Sequence, residues 1–365
     1  MDAMGFSVNA KALGGLADML DRRAHDLLKT AGYVTVHSTL QGGPGLVNVL
    51  SGAHGKIVDE IVAFLRRAAT SYLTEYSIAV SLAVEAYTTS DQGSSARLDA
   101  SLPGLDSLPP PSAQPADQSV GPEIFTDPAK LVLKIPPDYH ADFPYQPSWA
   151  DVISPTSIPR DVIWAVSHLA VDLGLIDRPV DPYEAFTVPL FGDWAGLERF
   201  SFALRQTVQA LSYVCERVDS GTATQDRIWT GHAATNCAVA LGRFTLDLQD
   251  AQGLLQEIAN SYHDIAVSAR AKEAALASLV SVAIDVAATF GVEAFVEAPR
   301  AAEAASKLAT VLPDIMRGIE GLHASVEGGK SIAELRADDL VPLLTGSMNA
   351  SLPGTMPALP TPARG

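Results

Sequence analysis

The sequence predicts an all-α protein built on two long helical hairpins, with a proline-rich linker between them and additional C-terminal helices. Three observations carry that prediction. Alanine and leucine are abundant while aromatics are only 7% of the chain, a composition that leans to helix. Apolar residues recur at helical spacing through several long stretches. Gly- and Pro-rich segments punctuate those stretches where turns are needed. With 365 residues and 47% hydrophobic content there is ample material for packed cores and room for two or three domains.

The first hairpin is expected over residues 1–93. Its opening arm, about 6 to 31, places Leu13, Leu16, Leu20, Ala24, Leu27 and Ala31 on one face. Gly32 and the run Gln41-Gly-Gly-Pro-Gly45 break it. A longer arm from about Ala53 to Asp91 carries Ile61, Leu65, Ala68, Tyr72, Tyr76, Ala79, Ala83 and Tyr87 on one side. From 94 to 157 the periodicity dissolves into LPPPSAQPADQ (108–118), KIPPDY (134–139) and FPYQP (143–147), a partly extended linker.

The second hairpin, 158–271 with a short preceding helix over Arg160–Leu175, is the most regular part of the sequence. In its first arm Leu197, Leu204, Leu211 and Val218 recur every seven residues, with Phe200, Thr207 and Val214 between them. In its second arm Cys237, Leu241, Phe244, Leu248, Ala251, Leu255, Ile258 and Tyr262 alternate four and three apart. That is a coiled-coil-like seam, and the core of a four-helix bundle carries the same periodicity. The arms match those of the first hairpin, about 25 residues in each first arm and about 40 in each second, so the hairpins can pair as a four-helix bundle with long arms of about 60 Å. Further helices are expected at 272–297, 300–322 and 331–345 (within a 272–346 region), with Pro299 and the pair Gly328 and Gly329 as breakers, before a proline-rich tail at 347–365.

Charge and motifs narrow the function. A net charge of -17 argues against binding nucleic acid or an anionic membrane surface, both of which need Lys and Arg to meet phosphate. The N-terminal MDAMGFSVNAKALGGLADML turns amphipathic instead of forming an apolar leader, so no Sec-type signal is expected. The most apolar window, Ala274 to Val296, is interrupted by Asp285 and Glu293 and reads as a buried helix in preference to a membrane span. Glu327-Gly-Gly-Lys-Ser331 lacks the upstream glycine and strand of a phosphate loop. The eight histidines stand singly, at 25, 37, 54, 140, 168, 232, 263 and 323, without metal-ligand spacing, and are expected to be solvated or capping. No catalytic residue, cofactor or metal is expected. Cys215 and Cys237 flank the second turn almost symmetrically, and both a disulfide and two buried free thiols fit that placement.

Three short stretches carry a resemblance. Ile228-Trp229-Thr230-Gly231-His232-Ala233-Ala234, between the arms of the second hairpin, resembles the Trp-x-Gly turn of the WXG family of type VII (ESX-type) secretion substrates of actinobacteria. Pro189-Leu-Phe-Gly-Asp-Trp194, where the first arm begins, resembles the Gly-Asp-Trp start of WXG modules in large secreted proteins. Tyr87 and Asp91 match the Tyr-x-x-x-Asp export signal, and the close of that hairpin resembles EspC-like proteins.

The resemblance implies a secreted or cell-surface, non-catalytic substrate or interaction module. Its partner would be the secretion ATPase or another helical hairpin protein. In such families one hairpin's Trp-x-Gly turn lies near its partner's Tyr-x-x-x-Asp tail. Here the halves are split, because the first hairpin's loop has no tryptophan and Ala266 stands four residues after Tyr262. The rival readings are a cytosolic chaperone of another secreted hairpin protein, a membrane-active effector using the 274–296 helix, and a toxin with an unfamiliar C-terminal domain.

Overall fold

The structure, a computed structural model, describes residues 6–89, 99, 115–127, 129–143, 150–290 and 298–344. Among the described residues it is all-α apart from one two-stranded ribbon, in which β1 (Ser7–Val8) pairs antiparallel with β2 (Trp229–Thr230).

Helix α1 (Ala10–His37) begins where the Asn9 side chain accepts the Ala12 N–H at 3.0 Å, satisfying one of the donors that a helix start leaves open. Its buried stripe contains every apolar residue expected from the spacing, Leu13 through Ala31. The chain then enters α2 (Val47–Arg67), a π-helical turn (Ala68–Thr74) and α3 (Glu75–Thr89). The second arm thus starts at Val47, six residues before the expected Ala53, and its α-helical course is interrupted. The cause is local: the adjacent pairs Ala68-Ala69 and Tyr72-Leu73 are all buried, and a π turn lets both members of each pair face inward. Thr74 Oγ1 donates to the Ala69 carbonyl five residues back, at 3.1 Å.

After α4 (Ile158–Asp172), capped by Ser157, come α5 (Trp194–Gln225) and α6 (His232–Phe290). Asp193 caps α5 by accepting the Gly196 N–H at 2.7 Å. At 59 residues, α6 runs about 88 Å, and it passes 271 without the expected boundary because no glycine or proline stands there. Helix α7 (Ala298–Leu340) likewise runs through Gly328 and Gly329, which the sequence marks as breakers. A Cβ on Gly329 would lie 2.6 Å from Ile265 Cδ1, so this glycine serves close packing of α7 on α6. Pro299 sits in the first turn of α7, where a missing N–H costs nothing.

The pairings are antiparallel. Along α5 and α6, Glu198 meets His263, Ser201 donates to the Ala259 carbonyl, and Cys215 lies by Thr245. Along α6 and α7, Asp247 accepts from Leu344 N–H, Glu257 pairs with Arg336, and Leu276 lies by Gly318. The α2–α3 arm lies along α6 through His54 with Tyr262, Tyr72 with Phe244 and Tyr87 with Trp229. Eighteen residues on one side answer eighteen on the other, then fifteen answer fifteen. Helix α7 also packs on α2 and α4. No described helix is long and apolar enough to cross a membrane.

Residues 115–127, with a 3-10 turn at Pro122–Phe125, and 129–143, largely without regular structure, strap the groove beside α1 and α5. Asn9 Nδ2 donates to the carbonyls of Asp117 and Val120, both at 2.9 Å, Tyr213 Oη to that of Ala129, and Tyr33 Oη to that of Lys134. Gly15 lets Pro122 approach so closely that a Cβ would fall 2.7 Å from its backbone.

Candidate recognition site

The turn between α5 and α6 is assembled from four segments distant in sequence. β1 fixes its backbone, with Val8 opposite Trp229, Ser7 opposite Thr230, and the Asn9 N–H donating to the Ile228 carbonyl at 2.7 Å. This ribbon aims the Trp229 indole inward, where it is 2% exposed. The end of α3 supplies Tyr87, whose ring meets the indole edge-on with centroids 6.2 Å apart and an interplanar angle of 65°. Phe6 closes the cluster from the other side, 5.2 Å from the Tyr87 ring. Edge-to-face contacts of this kind suit the ring quadrupoles and add to the gain from burial.

Gly231 turns the chain into α6 with φ of 126°, a region that L side chains rarely adopt. The fourth segment explains the tightness of the turn. Asp99 is 4% exposed, and its carboxylate accepts the N–H groups of His232 at 2.9 Å and Ala233 at 3.0 Å. It therefore caps a 59-residue helix at its electropositive end. A Cβ on Gly231 would lie 2.6 Å from Asp99 Oδ2. The glycine is required twice, by its backbone angle and by the carboxylate beside it.

Burial pushes the Tyr87 hydroxyl well above the usual phenol range, and the Asp99 carboxylate pushes it further. The Trp229 indole N–H acts in the opposite direction, although it closes no hydrogen bond of ordinary geometry. Tyr87 is neutral throughout the physiological range, an apolar plate with a polar tip.

Of the residues singled out in the sequence, Tyr87, Trp229 and Gly231 come together here. Asp91 lies outside the described residues. Leu241, Phe244, Leu248, Leu255 and Ile258 are completely buried along α6, and Phe244 stacks on Tyr72 with centroids 5.8 Å apart. The Gly-Asp-Trp stretch lies at the far end of α5. There the Trp194 indole N–H donates to the Leu190 carbonyl, and Asp193 Oδ2 accepts the Gln41 N–H, both at 2.9 Å. Gly45 abuts the Phe191 carbonyl with no room for a side chain. The two tryptophan-bearing stretches therefore mark opposite ends of α5.

Asp99 is the residue that sequence reasoning missed. It falls in the stretch read as linker, and one aspartate in polar sequence gives no sign that it caps a helix more than 130 residues away. His54 also departs from expectation. It is 8% exposed and bridges two partners, with Nε2 donating to the Ser38 carbonyl at 2.6 Å and Nδ1 accepting from Tyr262 Oη at 2.7 Å. Burial lowers its proton affinity, so the ring is neutral with its tautomer fixed by these bonds. His263 meets Glu198 at 2.7 Å, so it too is engaged.

Cys215 and Cys237 are free, buried thiols, each pushed to about 12 by burial. Glu327 to Ser331 lies within α7, in the form of a continuous helix. Among the described residues no group of His, Cys, Asp and Glu is gathered as a metal site would require. What the turn offers chemically is shape, in the form of a rigid aromatic cluster on a capped helix start. Compared with protein-family models, with curated proteins and with solved structures, the chain matches none.

Proposed function

We propose that this chain is a non-catalytic substrate or interaction module of a type VII secretion system, self-paired from two helical hairpins. In this reading α1 with α2–α3 forms one hairpin, α5 with α6 forms the other, and the two associate as a four-helix bundle. Tyr87 and Asp91 supply the export signal, and Trp229 with Gly231 supplies the recognition turn. The partner is the secretion ATPase, and the destination is the cell surface or the medium.

The observation that carries this reading is the contact of Tyr87 with Trp229 at 6.2 Å. The resemblance splits its two halves between distant parts of the sequence and implies that they belong side by side. The constant antiparallel register from His54–Tyr262 to Tyr87–Trp229 supports the same pairing along the whole arm.

The test is fractionation of a host with an intact or inactivated type VII ATPase. The protein is expected in culture filtrate only when the ATPase works, and Asp91→Ala is expected to abolish export while cytosolic levels hold. Undiminished export of Asp91→Ala removes the assigned signal. ATPase-independent appearance in the filtrate removes the whole reading, and retention in the cytosol with a bound helical partner favours the chaperone role.

A further inference from the structure

We propose that the cleft between α1 and the strap at residues 126–127 and 129–131 binds a small soluble molecule bearing a phosphate or pyrophosphate group. The cleft has a volume of about 600 Å³, within the range of small-ligand sites. Its lining inverts the charge of the molecule. Across the chain Asp and Glu outnumber Lys and Arg 42 to 25, yet here Arg22, Arg23, Lys29 and Lys130 face only Asp26 and Asp127.

Both carboxylates are already engaged. Asp127 Oδ2 accepts from Arg22 Nε at 2.9 Å and from Arg23 Nη2 at 2.8 Å, and Asp26 shares the same Arg23 nitrogen at 3.1 Å. The arginines are thus arranged around one oxyanion, and donors remain. The Arg23 side chain is 4% exposed and stacked on Tyr213, with Nε and Nη1 buried and without hydrogen-bond partners. The charge of this buried guanidinium is only partly compensated, so the field at the cleft favours an added anion.

The two lysines supply mobile charge at the mouth. Lys29 is 72% exposed and comes no nearer than 4.0 Å to Asp26, and Lys130 is exposed with no ion pair among the described residues. Planar guanidinium groups backed by flexible ammonium groups suit the several oxygens of a phosphate better than the two of a carboxylate. The apolar side chains of Ala129 and Leu131 leave space beside the charged end for the rest of the ligand.

The experiment is isothermal titration of the full chain with sodium pyrophosphate at low ionic strength, with sodium acetate as the comparison and Lys29→Ala/Lys130→Ala as the variant. Both lysines are exposed, so the variant keeps its fold, as circular dichroism will verify. Saturable one-to-one binding is expected, weakened roughly tenfold in the double variant and weakened by added salt. Absence of saturable heat at concentrations on the order of 10 mM, unchanged affinity in the variant, or acetate binding as tightly as pyrophosphate would each overturn the assignment.

Discussion

The carboxylate of Asp99 occupies the space into which Gly231 would project a side chain, with Oδ2 at 2.6 Å from a Cβ built there. The same carboxylate holds the first two N–H groups of α6. One aspartate therefore caps the longest helix and restricts the residue before it to glycine. The two positions are therefore expected to be energetically coupled.

Gly231→Ala is expected to lose about 2 to 3 kcal/mol, from the strained backbone angle and the displaced carboxylate, and Asp99→Ala about 1 to 2 kcal/mol, from the lost cap. The double variant should cost less than the sum, because removing the carboxylate relieves the clash. Urea unfolding of the four proteins measures the coupling, and strict additivity would show that the contact is not energetic.

Tyr87→Ala is expected to destabilise by roughly 3 kcal/mol, since it opens a cavity between Phe6 and Trp229. Tyr87→Phe should remain within about 1 kcal/mol of wild type, because the ring supplies the contact with Trp229 and Phe6. Chemical denaturation of both variants checks this, and equal losses would mean that the hydroxyl matters as much as the ring.

His54 makes stability depend on pH with a definite sign. Its proton affinity is lowered in the fold by burial, so below the ordinary histidine value the unfolded chain binds the proton more readily. This contribution is complete above about pH 6.5 and is lost as the pH falls through the window between that value and the lowered one. Thermal melts at about pH 7.5, above the window, and at about pH 6.5 and 5.5, where the pH enters it, should show a steeper fall for wild type than for His54→Gln. Parallel curves would contradict a neutral buried ring.

Cys215 and Cys237 should resist a thiol-specific reagent in the native protein and both react once the chain is unfolded, because burial keeps each thiol protonated to about 12. Rapid native labelling of either cysteine, or mass loss corresponding to a disulfide, would contradict the buried-thiol arrangement.

Much of the helical framework was legible because periodicity reports which face a helix buries. Leu13 to Ala31, and Leu241 to Ile258, are buried where their spacing places them. The misread breaks have a cause, namely that glycine has two uses. Gly32, Gly328 and Gly329 look like breaks, but α1 runs through Gly32 to His37 and Gly329 makes room for Ile265, whereas Pro299 does stand where a helix begins. Composition alone does not distinguish a residue that bends the chain from one that lets another chain segment approach.

The site was legible only in halves. Trp229, Gly231 and Tyr87 stand out as a turn and a helix end, whereas Asp99 and His54 have no local signature, and their roles depend on partners far away in sequence. By itself the sequence determined the all-α class, the inward faces of the long helices and the identity of the residues at the turn, because these follow from local spacing and backbone preference. Only the tertiary structure decided that Tyr87 meets Trp229, that Asp99 closes the turn, and that the proline-rich segment straps a charged cleft. Those contacts join elements about 100 or more residues apart, and the burial and electrostatics that select them arise only once the helices have packed.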